Sequence, residues 1–356
     1  MAGSANSPAW AEQYGSEHSD YASCALKLEQ LIEDLLLEAE IDVVAIEGRA
    51  KSPESFLQKV EGKKDKYPDP LLDVTDLVGV RVIAYYLEDV EQIAKIIHRE
   101  FDVDEEKSID KLDELDPDRF GYRSIHYIVS LSDKRALLAE WGLFRDKCAE
   151  IQLRTATQHA WAAVEHKLSY KRTREAPSHL RRRLTRLSAL FELADEQFSV
   201  IRGDLESVEV QYSRKVRGGN LDLPVDKASL EAFLTDDNVV QSFVRRAEAD
   251  GMTLWEPTVD GYEFRLDIDL RDLVFVLDRS NISTIAELDA LLKSDAMTTA
   301  TQRLGALSRE ADVRWGTPAD ALCALILFHT DAPEALVTSI YSPGIIDFFA
   351  RAREEL

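Results

Sequence analysis

The chain has 356 residues, of which 45% are hydrophobic and 31% are charged, and this composition predicts a globular protein with room for two domains. A formal net charge of −23 disfavours a general nucleic-acid-binding protein, because such a surface repels a polyanion. No run of 18 apolar residues, no signal-peptide pattern and three cysteines without metal-binding spacing together predict a reduced, cytoplasmic protein with no membrane span.

The first elements are predicted from periodicity. Residues 1–15 are small and polar without a repeat, so we expect a loose tail. An amphipathic helix is expected at roughly 21–37, because its leucines recur at helical spacing. Residues 41–46 are rich in valine and isoleucine and predict a strand, which leads into a basic segment.

The basic segment combines cations with a helix start. Ser52 followed by Pro53 favours a helix N-terminus, because serine caps the first turn and proline fits into it. The free N–H groups of that turn, together with Arg49, Lys51 and Lys59, are suited to hold a polyphosphate.

Two further strand patterns carry polar side chains. Asp76 precedes an apolar, β-branched run, where we expect it to lie at a solvent-exposed sheet edge and to suit a metal ion. Residues 102–119 are rich in Asp and Glu and predict a mobile connection. After this connection Tyr122, Ser124 and His126 share one strand face, where Tyr122 is suited to stack on a base and His126 to donate to a phosphate or a ribose.

The most informative stretch begins at Cys148. Glu150, Gln152 and Arg154 alternate with apolar residues, which predicts a strand with one polar and one buried face, and the pattern then changes to helical spacing. A carboxylate, an amide and a guanidinium on one face suit a metal–nucleotide site. The alternative is a salt-bridged sheet edge, and this segment alone leaves both open.

Cations also gather between residues 167 and 186, where Arg182, Arg183 and Arg186 fall within a long helix expected at 180–206. A solvated helix face, a phosphate-lined rim and a docking surface for RNA or an acidic partner all fit this pattern. The sequence does not separate them.

Beyond Gly218 and Gly219 the sequence predicts a mostly helical domain without a catalytic motif. Helix starts are predicted at Asp226, Thr284 and Thr317, because each precedes an apolar helical pattern as a capping residue. Residues 262–268 alternate and predict a short strand.

In this order and at these separations, the motifs around Arg49, Asp76, Tyr122 and Glu150 resemble the synthetase domain of the RelA/SpoT alarmone synthetases. The resemblance spans about residues 40–172 and implies an α+β fold, a nucleotidyltransferase-like mixed sheet flanked by helices. It implies a reaction that moves the β,γ-pyrophosphate of ATP to the 3′-hydroxyl of GDP or GTP, makes (p)ppGpp and releases AMP. The predicted organisation is a tail at 1–15, a synthetase domain at 16–206, a linker at 207–224 and a mostly helical domain at 225–356.

The resemblance also assigns roles to residues. Asp76 and Glu150 match the two acids that bind Mg²⁺, and Glu150 also helps to deprotonate the acceptor hydroxyl. The positions matched to ATP binding are Arg49, Lys51, Ser55, Lys59 and Arg81. The positions matched to the acceptor nucleotide are Lys107, Tyr122, His126, Gln152, Glu165, His166 and Lys171.

The chain lacks the His-Asp pair of the hydrolase domain found in long family members, so we expect a small, single-function synthetase with an extra C-terminal domain. One alternative is a toxic relative that pyrophosphorylates the 3′ end of tRNA or makes an adenosine alarmone, with the C-terminal domain as its neutraliser or sensor. Another is an inactive nucleotide-sensing module, against which the retention of both Asp76 and Glu150 argues. A homo-oligomer is compatible with the resemblance.

Overall fold

The computed structural model describes residues 8–63, 66–110, 124–169, 178–235, 237–254 and 266–354. The chain divides into two compact units, Met1–Arg202 and Gly203–Leu356. Each unit has a hydrophobic core of its own. None of the described helices combines the length and the apolar composition that crossing a bilayer requires.

The first unit combines one sheet with helices. In chain order its elements are α1 (Ala9–Glu38), β1 (Val43–Ala50), α2 (Pro53–Glu61), α3 (Pro70–Asp73), β2 (Val78–Ala84), α4 (Leu87–Glu100), β3 (Phe101–Val103), β4 (Ile109–Asp110), β5 (Ile125–Leu131), α5 (Asp133–Ala136), a 3₁₀ turn (Ala139–Trp141), β6 (Ala149–Thr155) and α6 (Ala156–Ser169). Helix α7 (Ser178–Arg217) begins in this unit and ends in the second.

The sheet is mixed. Its strands pair in the order β1-β2-β6-β5-β3, with β4 added to β5. β2 and β6 are parallel, whereas the other paired strands are antiparallel. Val80 and Ile151 are buried while Arg81 and Gln152 are only half-buried, because successive side chains of a strand point to opposite faces. This mixed sheet with flanking helices confirms the fold class predicted from the sequence.

Helix α1 begins earlier than the sequence predicts. It starts at Ala9, so the prediction of a loose tail through residue 15 was wrong for residues 9–15. Tyr14 is fully buried and its ring lies 4.6 Å from that of Phe56 on α2, while Trp10 lies 5.2 Å from the same ring. These contacts stabilise the first turns of α1, and local periodicity missed them because their partner belongs to another helix.

The second unit is mostly helical, as predicted. Its elements are α8 (Lys227–Leu234), α9 (Asp237–Ala249), β7 (Thr253–Leu254), α10 (Leu266–Arg279), α11 (Ile285–Leu292), α12 (Asp295–Glu310), β8 (Arg314–Trp315), α13 (Pro318–His329), α14 (Glu334–Ile340) and α15 (Gly344–Glu354). β7 and β8 form a short parallel pair.

The predicted helix starts of this unit are confirmed at Asp226, Thr284 and Thr317, whose side chains each accept a hydrogen bond from the N–H three residues later. The predicted strand at 262–268 was wrong for residues 266–268, which lie in α10, and its other residues lie outside the described ones. Buried residues recur at helical spacing along α10, whereas the alternating pattern covers only residues 262–268. The longer helical pattern therefore determines the structure of residues 266–268.

Helix α7 continues to Arg217, so the predicted linker at 207–224 was wrong over 207–217. The helix ends where Gly219 adopts a φ of 76° and the N–H groups of Gly219 and Asn220 donate to the carbonyls of Val216 and Lys215. This C-terminal motif needs a residue in the left-handed region, which glycine supplies without strain. The glycine pair therefore marks a helix end, and the two units divide inside α7.

Candidate active site

A cavity of about 340 Å³ lies in the first unit, where the end of β1, the start of β2, the start of β6 and the first turn of α2 come together. Seven residues that the sequence pointed to line this cavity: Arg49, Lys51, Ser55, Asp76, Arg81, Glu150 and Gln152. The two acids predicted to act together therefore share one cleft.

Strand register explains this convergence. Arg49 on β1 is paired with Gly79 on β2, which is paired with Glu150 on β6. Arg81 is likewise paired with Gln152, which is paired with His126 on β5. Residues two apart on a strand share a face, so the register gathers these polar side chains on one face of the sheet.

Gly48 places the end of β1 against helix α1. A Cβ atom at this position would lie 2.5 Å from the carbonyl oxygen of Ala25 and 2.7 Å from Oε2 of Glu29. The N–H of Gly48 donates to the same Glu29 carboxylate at 2.8 Å. Glycine is therefore required by the close approach of α1, which holds the strand that carries Arg49.

Asp76 pairs with two lysines from different elements. Its Oδ2 lies 2.9 Å from Nζ of Lys51 and its Oδ1 lies 2.9 Å from Nζ of Lys59 on α2. Helix α2 begins as predicted, because Oγ of Ser52 accepts a hydrogen bond from the N–H of Ser55 at 3.2 Å. The shared carboxylate therefore brings both ammonium groups together at Asp76, two residues before β2.

Glu150 accepts two hydrogen bonds. Nδ1 of His126 donates to Oε1 at 2.8 Å and Nε2 of Gln152 donates to Oε2 at 2.9 Å. Gln152 in turn accepts from Arg154 at 2.6 Å, and Nε2 of His126 lies 2.9 Å from Oγ of Ser124. Burial raises the pKa of Glu150, but the hydrogen bonds from His126 and Gln152 outweigh it and hold this pKa below its usual range.

The donor atoms of the cavity fit a magnesium ion bound through two carboxylates. Asp76 and Glu150 present the oxygen ligands that Mg²⁺ prefers. Oδ1 of Asp76 is buried, and its contact with Lys59 lacks hydrogen-bond geometry, so this oxygen has a lone pair available for a further cation. Within the described ranges no cluster of three or more candidate ligands occurs, so phosphate or water oxygens would complete the coordination.

Some predicted site residues do not reach the cavity. Lys107 was predicted to face the acceptor nucleotide, but it is exposed and pairs with Asp104 at 3.1 Å, because the turn after β3 brings these residues together. Glu165 lies on α6, half-exposed, and does not line the cavity. His166 is on the same helix, but its side chain is not among those that the structure describes. Tyr122 and Lys171 lie entirely outside the described residues.

Three residues near the cavity were given no role by the family resemblance, although the strand patterns had placed Arg154 and Ser124 on the same faces as predicted site residues. Glu47 lines it and accepts a hydrogen bond from Arg81 at 2.9 Å. Arg154 is buried and supports Gln152. Ser124 supports His126 from one residue outside β5. The alternation of side chains continues through residues 47–50 and could have assigned Glu47 to the strand. The predicted strand ended at residue 46, so Glu47 was left out of the predicted site.

Comparisons with known proteins find sequences similar to part of this chain. A family profile described as "Region found in RelA / SpoT proteins" matches residues 48–175. The chain is 30% identical over 189 residues to GTP pyrophosphokinase YjbM of Bacillus subtilis, a match that spans 51% of this chain and 84% of that protein. It is 27% identical over 161 residues to GTP pyrophosphokinase YwaC of the same organism, spanning 45% of this chain and 73% of that protein. The solved structure of a GTP pyrophosphokinase family protein from Streptococcus pneumoniae aligns with a TM-score of 0.47 at 23% identity, over 55% of this chain and 95% of the other.

Proposed function

The chain belongs to the RelA/SpoT family, and we propose that it is a GTP pyrophosphokinase that makes (p)ppGpp from ATP and GDP or GTP. In this reaction the 3′-oxygen of the acceptor forms a bond to the β-phosphorus of ATP. The bond between that phosphorus and the oxygen that bridges to the α-phosphorus breaks. AMP leaves with the bridging oxygen, and the acceptor hydroxyl gives up its proton.

A single observation carries the proposal: one cavity is lined by Asp76 and Glu150 together with the cations of Arg49, Lys51 and Arg81, and Lys59 pairs with Asp76 beside it. Transfer of a phosphorus group needs little covalent help, so a protein accelerates it by positioning the substrates and by neutralising charge. A cleft with two carboxylates and several cations supplies both effects.

The donor side of the cleft is proposed to hold ATP. Lys51 and Lys59 meet at Asp76, and Ser55 lies in the first turn of α2. The phosphates would be bound by these ammonium groups, by Arg49 and by free N–H groups of the helix N-terminus. Arg81, on the adjoining strand, pairs with Glu47 and would face the same phosphates after exchanging that partner.

The acceptor side is proposed to include His126 and Gln152, which already contact Glu150. Tyr122 would stack on the guanine, and Lys107, Glu165, His166 and Lys171 stay assigned to this side by the family resemblance alone. Because Lys107 pairs with Asp104 in this structure, an acceptor role for it requires the pair to open.

Asp76 and Glu150 would hold Mg²⁺. When bound, magnesium neutralises charge on the transferred group. The low pKa of Glu150 keeps its carboxylate ionised at neutral pH, which suits a metal ligand. A carboxylate of low pKa is a weak general base, so the contribution of Glu150 to proton removal is expected to be smaller than its contribution to positioning.

The same proposal includes a homo-oligomer and a cytoplasmic location. Cys24 and Cys148 form no disulfide among the described residues, which supports a reducing compartment. Size-exclusion chromatography with light scattering measures the assembly state.

Labelled ATP incubated with magnesium and one acceptor at a time tests the function. GDP or GTP is expected to yield AMP and a 3′-pyrophosphorylated guanosine, and Glu150→Gln is expected to abolish both products without unfolding the protein. Labelled deacylated tRNA or a labelled adenosine nucleotide as the sole product would favour the toxic-relative alternative. Nucleotide binding without AMP release under any condition would favour a sensing module.

A further inference from the structure

Helix α1 contacts the main chain of Lys51. The hydroxyl of Tyr14 donates a hydrogen bond to the Lys51 carbonyl oxygen at 2.6 Å. Nε2 of His18, one turn further along α1, lies 3.2 Å from the same oxygen. The N–H of Lys51 donates to the carbonyl of Leu77 at 2.9 Å, so both polar groups of this residue's main chain are held.

The position of Lys51 makes these contacts relevant to the site. It lies between the end of β1 and Ser52, the cap of α2, and its Nζ lies 2.9 Å from Asp76. Rotation of the peptide that follows Lys51 would move both its ammonium group and the helix cap. A donor fixed on the Lys51 carbonyl oxygen opposes that rotation.

The hydroxyl of Tyr14 has a role separate from that of its ring. The ring is fully buried and packs against Phe56 and Tyr21, at centroid distances of 4.6 and 5.0 Å. A phenylalanine would keep these contacts. Among the described residues the Lys51 carbonyl is the sole hydrogen-bond partner of the hydroxyl. Burial, with smaller effects from Tyr21 and Asp76, raises the pKa of Tyr14, so the hydroxyl stays a donor at neutral pH.

We propose that Tyr14 is a positioning residue of the donor side, whose hydroxyl acts through the main chain of Lys51 to set the affinity for the nucleoside triphosphate. This inference rests on the proposed function. Tyr14 does not line the cavity and touches no reacting atom, so its effect is confined to the placement of Lys51 and of the α2 cap.

Tyr14→Phe tests the inference, with Tyr21→Phe as the matched control. Tyr21 is also a buried tyrosine of α1, and its hydroxyl makes no hydrogen bond to the described residues. Loss of one such bond is expected to raise the KM for ATP by about three- to tenfold in Tyr14→Phe. The KM for GTP and kcat are expected to stay within about twofold, because a change confined to donor placement acts on donor binding. Tyr21→Phe is expected to match the wild type.

A binding experiment separates this inference from the proposed reaction. The probe is an ATP analogue whose α,β bridge is not hydrolysable, titrated by calorimetry into wild type, Tyr14→Phe, Lys51→Met and the double variant. Tyr14→Phe is expected to weaken binding in the wild-type background and to add a smaller loss in the Lys51→Met background, because part of its effect acts through the Lys51 side chain. Additive losses, or equal losses in Tyr14→Phe and Tyr21→Phe, would overturn the inference. Wild-type protein that binds the analogue but releases no AMP with any acceptor would overturn the proposed reaction instead.

Discussion

Replacement of Gly48 by alanine tests how helix α1 supports the candidate active site. The added methyl group would lie 2.5 Å from the Ala25 carbonyl oxygen and 2.7 Å from a carboxylate oxygen of Glu29. The first contact is with main chain and cannot be relieved by a side-chain rotation. Either β1 moves away from α1 or the helix shifts, and both movements disturb the strand end that carries Arg49.

The expected destabilisation follows from three contributions. Overpacking of this kind costs about 1–3 kcal/mol. The charged hydrogen bond between Glu29 and the N–H of Gly48, 2.8 Å long, is worth about 1.5–3 kcal/mol if the movement breaks it. Alanine offsets about 0.5–1 kcal/mol of this loss, because it restricts the unfolded chain more than glycine does. With that hydrogen bond broken, the net loss is about 1.5–5.5 kcal/mol, which lowers the Tm of a unit of this size by about 3–22 °C.

Differential scanning calorimetry of Gly48→Ala beside Gly79→Ala measures the effect. Gly79 is on the neighbouring strand and pairs with Arg49, but a methyl group there would meet its nearest atoms at 3.9 and 4.0 Å. Gly79→Ala is therefore expected to leave the Tm unchanged or slightly higher. Equal Tm values for Gly48→Ala and the wild type would refute the close packing of α1 against β1.

Three further outcomes are expected. His126→Ala should move the acidic limb of the kcat/KM profile to higher pH, because burial of Glu150 is then opposed by fewer hydrogen bonds and its pKa rises; an unmoved limb would count against their coupling. Asp76→Asn should raise the Mg²⁺ concentration for half-maximal activity by on the order of tenfold or more, and an unchanged magnesium titration would remove Asp76 from the metal site. Thr284→Ala should lower the free energy of unfolding of the second unit by about 1 kcal/mol in urea denaturation, because the helix cap is lost. Thr299→Ala, at an exposed position inside a helix, should have little effect. Equal losses in the two variants would show that the side chain of Thr284 does not stabilise the protein as a helix cap.

Local sequence signals were sufficient for much of the candidate site. Glu150 and Gln152 were predicted to share a strand face because alternation needs only neighbouring residues, and the structure places both on the cavity. The start of α2 at Ser52 and the caps at Asp226 and Thr284 follow from similarly short patterns. Such signals predict elements and faces well.

Features that depend on distant residues were harder to predict. The first turns of α1 are stabilised by Phe56 of α2, and Gly48 is glycine because α1 lies against it. Lys107 was matched by motif order, but a local carboxylate, Asp104, holds it away from the cavity. The convergence of Asp76 and Glu150 was expected from family resemblance, and the physical reason for it, the register of β2 with β6, is not visible in the sequence.

If the cavity holds ATP and magnesium as proposed, the pairing of its charges predicts that each ligand favours the binding of the other. Lys51 and Lys59 both lie 2.9 Å from Asp76, so a triphosphate that recruits the two ammonium groups leaves this carboxylate without a partner. A partly buried carboxylate without a counter-ion is unfavourable. A divalent cation that arrives with the phosphates supplies that counter-ion, whereas the same cation alone must displace the lysines without offering them anions. Metal and nucleotide bound together would therefore leave Asp76 and the two lysines with partners of opposite charge, whereas either ligand bound alone would not.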